Sequence, residues 1–188
     1  MSRWEPNARG RIEQAALELY GERGFEQTTV AEIARRAGLT ERTFFRHYAD
    51  KREVLFGGST SLERLIVDAL VAVPEPVAPI DAVGVALEAT AALFQERREQ
   101  SRRRQAIIAA NAELQERELI KLARLSEGLA DTLRGRGVPD PAAGLTAEAG
   151  IAVFKITFER WLADPGPADF RELVRDSLAQ LKAVTAGG

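Results

Sequence analysis

Residues 28–51, TTVAEIARRAGLTERTFFRHYADK, contain two short helical segments joined at one glycine. Thr29 and Glu32 have the spacing of a capping box: the threonine oxygen takes a free N–H of the first turn, and the glutamate reaches back to the cap. Val30, Ile33, Ala34 and Ala37 then recur on one face at helical spacing. Gly38 falls where a helix ends in a left-handed residue. Thr40, just after Leu39, is placed to cap a second helix running from Glu41 to Tyr48. Two helices joined by a tight glycine turn have the layout of a helix-turn-helix.

In the second helix Phe44 and Phe45 point about 100° apart, so one reaches the core and the other stays near the surface. Phe44 is expected inside. Glu41, Arg42, Thr43, Phe45 and Arg46 spread around the remaining surface. Small and long polar groups near the start of such a helix suit base edges in a major groove. The hydroxyl, imidazole and ammonium donors of Tyr48, His47 and Lys51 suit phosphates. His47 alone could be a satisfied structural side chain; its place beside Tyr48 and before Lys51 favours a phosphate contact. Asp50 and Glu53 repeat the cap spacing and open a further helix.

The run GFEQTTVAEIARRAGLTERTFFRHYADKREVLF resembles the N-terminal DNA-binding domain of the TetR/AcrR family of bacterial transcriptional regulators. The likeness covers about residues 10–56. It is carried by Gly24-Phe25, Thr28-Thr29, Ile33-Ala34, Ala37-Gly38-Leu39, Thr43 with two aromatics, His47-Tyr48 and Asp50-Lys51. It implies that Glu41, Arg42 and Phe45 face bases, while Thr28, Thr43, His47, Tyr48 and Lys51 contact phosphates. Thr29 and Thr40, at the two helix starts, join the DNA-binding set. Arg42 departs from the small residue or proline that many members carry there, which leaves the base sequence open but not the mode of binding. The resemblance further implies C-terminal helices that enclose a small-molecule pocket, and a homodimer formed by the last two helices as a four-helix bundle. Most members are repressors released by ligand.

Composition narrows the alternatives. The chain has 188 residues, 45% of them hydrophobic and 29% charged, enough for a buried core in one or two compact units. Without cysteine there is no disulfide framework and no thiolate metal site. A single histidine excludes a paired-histidine metal site. There is no GxSxG and no glycine-rich phosphate loop, so neither an enzyme nor a cofactor is expected. No apolar leader and no run of about 18 apolar residues appears, which makes the cytoplasm the expected compartment and a membrane an unexpected partner.

The formal charge is −2, but it is divided unevenly. Residues 1–52 hold ten Lys/Arg against eight Asp/Glu, and residues 53–188 hold sixteen against twenty. A head so close to neutral must place a few donors well, and use two copies, to hold DNA.

Around the motif the pattern is helical throughout. Ser2–Pro6 reads as an arm carrying Arg3 and Trp4. A helix from Asn7 to Arg23 has the core stripe Ile12, Ala15, Ala16, Leu19 and Tyr20 and stops at Gly24. Val54 to Val73 suggests one long helix whose propensity is interrupted by Gly57-Gly58-Ser59-Thr60-Ser61, a break or a hinge. PEPVAP, residues 74–79, is a linker, and Asp81 is placed to cap a helix reaching Phe94. Five arginines between 97 and 104 form a solvated face or contact the head or an anionic ligand. Leu119, Leu122, Leu125, Leu129 and Leu133 mark the inner face of a long helix ended by Gly135 and Gly137. Asp140-Pro141 restarts the chain as cap and first helical residue.

The helix from Pro141 to Ala163 carries two apolar stripes. Leu145, Ala149, Ala152 and Ile156 are expected to face the core. Ile151, Phe154, Phe158 and Trp161 are then left for a second copy, beside Phe170, Leu173, Val174, Leu178 and Leu181 of the final helix. The argument for a homodimer is unchanged if the stripes are exchanged.

The expected architecture is all-α, with a three-helix helix-turn-helix domain over 1–52 and a helical regulatory domain over 53–188. The expected function is sequence-specific binding of a double-stranded palindromic operator by a homodimer under control of a small-molecule effector. The alternative is a ligand-independent DNA-binding or interaction protein whose C-terminal domain only dimerises. Pocket residues are not legible, because a leucine lining a pocket looks like one that packs.

Overall fold

The computed structural model describes residues 7–186, and over them the chain is helical; the Ser2–Pro6 arm lies outside the described residues. Helices α1 (Ala8–Arg23), α2 (Val30–Arg36) and α3 (Glu41–His47) are followed by a 3-10 turn, Glu53–Phe56. Then come α4 (Ser59–Ala72), α5 (Pro79–Glu88), α6 (Ala91–Gln95), α7 (Arg98–Ala109), α8 (Ala112–Gly135), α9 (Ala142–Ala163) and α10 (Phe170–Thr185). Among the described residues no helix is long and apolar enough to cross a membrane. The chain divides into two compact units.

The first unit runs to Gly58, beyond the expected boundary at residue 52, and also contains Arg102–Glu118 from the end of α7 and the start of α8. The expected stripe of α1 is buried as Ile12, Ala15, Ala16, Leu19 and Tyr20. It packs with Phe25, Ile33, Ala34 and Phe44, and with Ile107, Ile108 and Leu114 from the later segment. Val54, Leu55 and Phe56 do not begin a long helix. Asp50 Oδ1 accepts the Arg52 and Glu53 amides at 2.8 and 3.0 Å, and Glu53–Phe56 form only the 3-10 turn before Gly57-Gly58 ends it.

Two polar networks brace this unit. The Lys51 ammonium donates to the carbonyls of Phe25, Glu26 and Thr28 at 2.9, 3.2 and 3.0 Å, and sits over the Phe25 ring. All three of its protons therefore close the α1–α2 loop. Tyr48, 5% exposed, donates its hydroxyl to Glu13 at 2.6 Å and accepts from Arg9 at 3.1 Å. Burial and the Glu13 carboxylate push this phenol well above its ordinary range, against the pull of Arg9.

The second unit is built on α5, which packs on α4, α9 and α10, while α9 and α10 pack on each other. Approach is close: a methyl at Gly150 would come within 2.5 Å of Val83, so α9 meets α5 where a side chain is missing. Phe94, Phe154, Phe158, Trp161 and Phe170 form one ring cluster, with Phe94 and Phe170 centroids 4.8 Å apart and Trp161 edge-on to Phe170 at 5.5 Å. The Trp161 indole donates to Gln95 at 2.9 Å. Arg98 closes the end of α9, donating to the carbonyls of Trp161 at 2.6 Å, Asp164 at 2.7 Å and Gly166.

This core reverses the expected stripes of α9. Ile151, Phe154 and Trp161 are buried within the chain, as are Phe170 and Val174 of α10, and Phe158, Leu173, Leu178 and Leu181 pack against the same cluster. The rings prevail because they cover more apolar area per residue than the Leu–Ala stripe. Leu145 and Ile156 lie outside, 67% and 53% exposed.

Three smaller expectations also change. Leu119 is exposed: at about 100° per residue it lies roughly 120° around α8 from Leu125. Asp140 pairs with Arg134 at 2.9 Å instead of capping α9. Asp81 sits in the first turn of α5, whose cap position is Ala78, and pairs with Lys182 of α10.

Because Lys51 satisfies three carbonyls at once, Lys51→Ala is expected to lower the unfolding free energy by about 1–3 kcal/mol. Urea denaturation with an unchanged slope would measure it. A midpoint equal to that of the wild type would show that water replaces the ammonium without loss.

Candidate nucleic-acid interface

The interface is assembled by local rules acting in sequence. Thr29 accepts the Glu32 amide at 3.3 Å, and Glu32 accepts the Thr29 amide at 3.0 Å, completing the capping box. The cap contacts hold the Glu32 carboxyl below its ordinary range. Arg23 reaches Glu32 at 2.7 Å, and Arg36 spans Glu22 and Glu18 at 2.8 and 3.2 Å, which fixes α2 against α1. Gly38 follows with φ 67°, a value that suits glycine, and the Leu39 amide returns to the Ala34 carbonyl at 2.8 Å. Thr40 then caps α3, accepting the Thr43 amide at 3.2 Å.

These constraints set the rotation of α3. Phe44 is fully buried, and Phe45 stands outside, 54% exposed, with its ring edge-on to Phe44 at 5.5 Å. Glu41, Arg42, Arg46 and His47 share the outer surface with Phe45, beside the exposed Thr29 and Thr40. Thr43 is half-buried, its hydroxyl 3.0 Å from that of Thr40.

Three expected phosphate donors are instead engaged within the chain, and two of them, Thr28 and Tyr48, are buried. Thr28 is 1% exposed and donates to the Gly24 carbonyl at 2.8 Å. Tyr48 and Lys51 are occupied by the networks described above. A donor whose protons already serve backbone carbonyls or a carboxylate has none to give to an incoming oxygen.

Charge pairing explains what remains. Arg9, Arg23, Arg36 and Arg52 each face a carboxylate. Arg42 and Arg46 are exposed on α3 and have no carboxylate partner among the described residues. Positive charge without a carboxylate partner thus lies beside the aromatic ring on α3, with Arg35 also exposed at the end of α2. Arg46 was absent from the set expected to bind DNA; its one-turn spacing from Arg42 was the available signal. Among the described residues no group of three or more His, Cys, Asp or Glu could hold a metal ion.

Residues 12–56 match the family described as bacterial regulatory proteins, tetR family. Residues 77–186, more than half of the chain, match the MftR C-terminal domain. MftR of Mycobacterium tuberculosis is 28% identical over 156 residues, 81% of this chain and 79% of that protein. The HTH-type transcriptional regulator TcmR of Streptomyces glaucescens is 36% identical over 81 residues, 43% of this chain but only 36% of TcmR. The transcriptional regulator FadR of Bacillus subtilis, solved with stearoyl-CoA, superposes with a TM-score of 0.63 at 18% identity, over 92% of this chain and 96% of FadR. The chain belongs to the TetR/AcrR family of DNA-binding, non-catalytic transcriptional regulators.

Proposed function

We propose that this regulator is a homodimeric repressor. Each protomer lays α3 in the major groove of one half of a palindromic operator, and a small molecule held by the C-terminal unit releases the DNA. The observation that carries the DNA reading is the outer face of α3, where the exposed Phe45 lies beside two arginines without carboxylate partners. Arg42 and Glu41, in the first turn, meet base edges, and Phe45 offers an apolar surface to a thymine methyl. Arg46 and His47, at the far end, meet phosphates. Thr29, Thr40 and Thr43 line the approach.

Dimerisation supplies the second reading helix that a weakly charged head requires. Its surface in this proposal is the stripe of α9 that the monomer leaves open, Leu145, Ala152 and Ile156. Such a stripe, meeting its own symmetry mate, makes a self-complementary contact. The effector reading is supported by the likeness to FadR, solved with an acyl-CoA. Release requires the ligand to prefer the DNA-incompetent state, a coupling of about 1–3 kcal/mol.

Selection of a binding site from random duplexes, followed by titration, tests the DNA reading. Arg42→Ala is expected to change the preferred sequence. Arg46→Ala should weaken all sites alike and lower the salt slope by about one. Equal losses on operator and random DNA for Arg42→Ala would remove it from the base-reading set.

The interface is tested by a contrasting pair. Ile156→Arg should yield folded monomers that lose operator binding. Phe158→Arg places a charge in the ring cluster and should instead lower the melting temperature. Sedimentation showing the wild type monomeric at micromolar concentration would overturn the dimer. Repression itself would be reversed by a reporter strain in which deleting the gene lowers target transcription.

A further inference from the structure

The unit that presents α3 is completed by a segment far along the chain. Leu114 and Ile108 are fully buried in the same core as Phe44 and Tyr48. The polar contacts of this segment converge on the short turn after α3. Arg104 of α7 donates through Nε to the Leu55 carbonyl at 2.6 Å, across 49 residues of sequence. Its guanidinium lies over the Phe56 ring at 5.0 Å and pairs with Glu118 at 3.2 Å. The two partners are 27% and 25% exposed. Arg117 pairs with Glu53 at the start of the same turn.

The other end of the turn bears on α3. Gly57 follows Phe56 directly, and a methyl there would lie 2.9 Å from the Tyr48 ring, so the backbone of Gly57 rests against Tyr48. Arg9 donates to both the Gly57 carbonyl and the Tyr48 hydroxyl. Tyr48 is the residue that ends α3. A continuous path of contacts therefore runs from Arg104 through Leu55, Phe56 and Gly57 to the end of the reading helix.

We infer that Arg104, held by Glu118, is a positioning residue for DNA reading: it fixes the 53–57 turn against which α3 is seated, and touches no DNA itself. The inference rests on the DNA-reading role proposed for α3. Arg104→Ala alone leaves Glu118 without its counter-charge and could simply unfold the chain. The informative variant is Arg104→Met with Glu118→Gln, which removes both charges at similar volume and keeps an acceptor for Gln105, now 3.3 Å from Glu118.

In the full-length protein, hydrogen exchange at the amides of 44–57 is expected to quicken by about tenfold in this double variant, with α9 unchanged. Affinity for the duplex selected by the wild type should fall by about tenfold, with its salt slope retained because no phosphate donor is lost. A wild-type exchange rate at 44–57 would overturn the inference, and so would faster exchange with undiminished affinity. A wild type that selects no duplex would overturn the DNA-reading role, and the exchange comparison would still decide whether Arg104 holds the turn.

Discussion

A helix ends with carbonyls that its own backbone cannot satisfy, and in this protein basic side chains from elsewhere in the sequence take them. Arg136 donates to Leu70 and Val73 at the end of α4, Arg98 to Trp161 and Asp164 at the end of α9, and Lys51 to three carbonyls after α1. Each contact places a cation on backbone carbonyls and ties two distant segments together; at α4 and α9 the cation also meets the negative end of the helix. Arg104 does the same for the turn after α3.

This use of charge shapes the candidate interface. The N-terminal residues are nearly balanced in charge, and most of their basic groups are engaged by carboxylates or by backbone. Among the described residues, Arg42 and Arg46, left without a carboxylate, stand on the exposed side of α3. In the proposed function, recognition then depends on a few donors held in register by caps, buried rings and a glycine turn, rather than on a broad basic surface.

Much of this was legible in the sequence because it is local. The Thr29–Glu32 box, the Gly38 turn, the Thr40 cap and the inward Phe44 all follow from residues within four positions of one another. What was not legible is long-range. Nothing near Lys51 shows that its protons serve Phe25, Glu26 and Thr28, so it resembled a free phosphate donor. Nothing near Arg104 points to Leu55. The two stripes of α9 were both visible, but their order depended on Phe94 and Phe170, which complete the ring cluster from other helices. Periodicity identifies a face; it does not identify the neighbour.

The outer side chains of α3 take no part in the hydrogen bonds that build the motif. Gly38, Thr40 and Phe44 carry the architecture, whereas Glu41, Arg42, Phe45, Arg46 and His47 project from it. If α3 reads DNA as proposed, text and page are chemically separate: the outward letters can drift to a new operator, one substitution at a time, while the scaffold that displays them stays the same. A lineage that duplicated this gene could give each copy its own target without first having to solve the folding problem again.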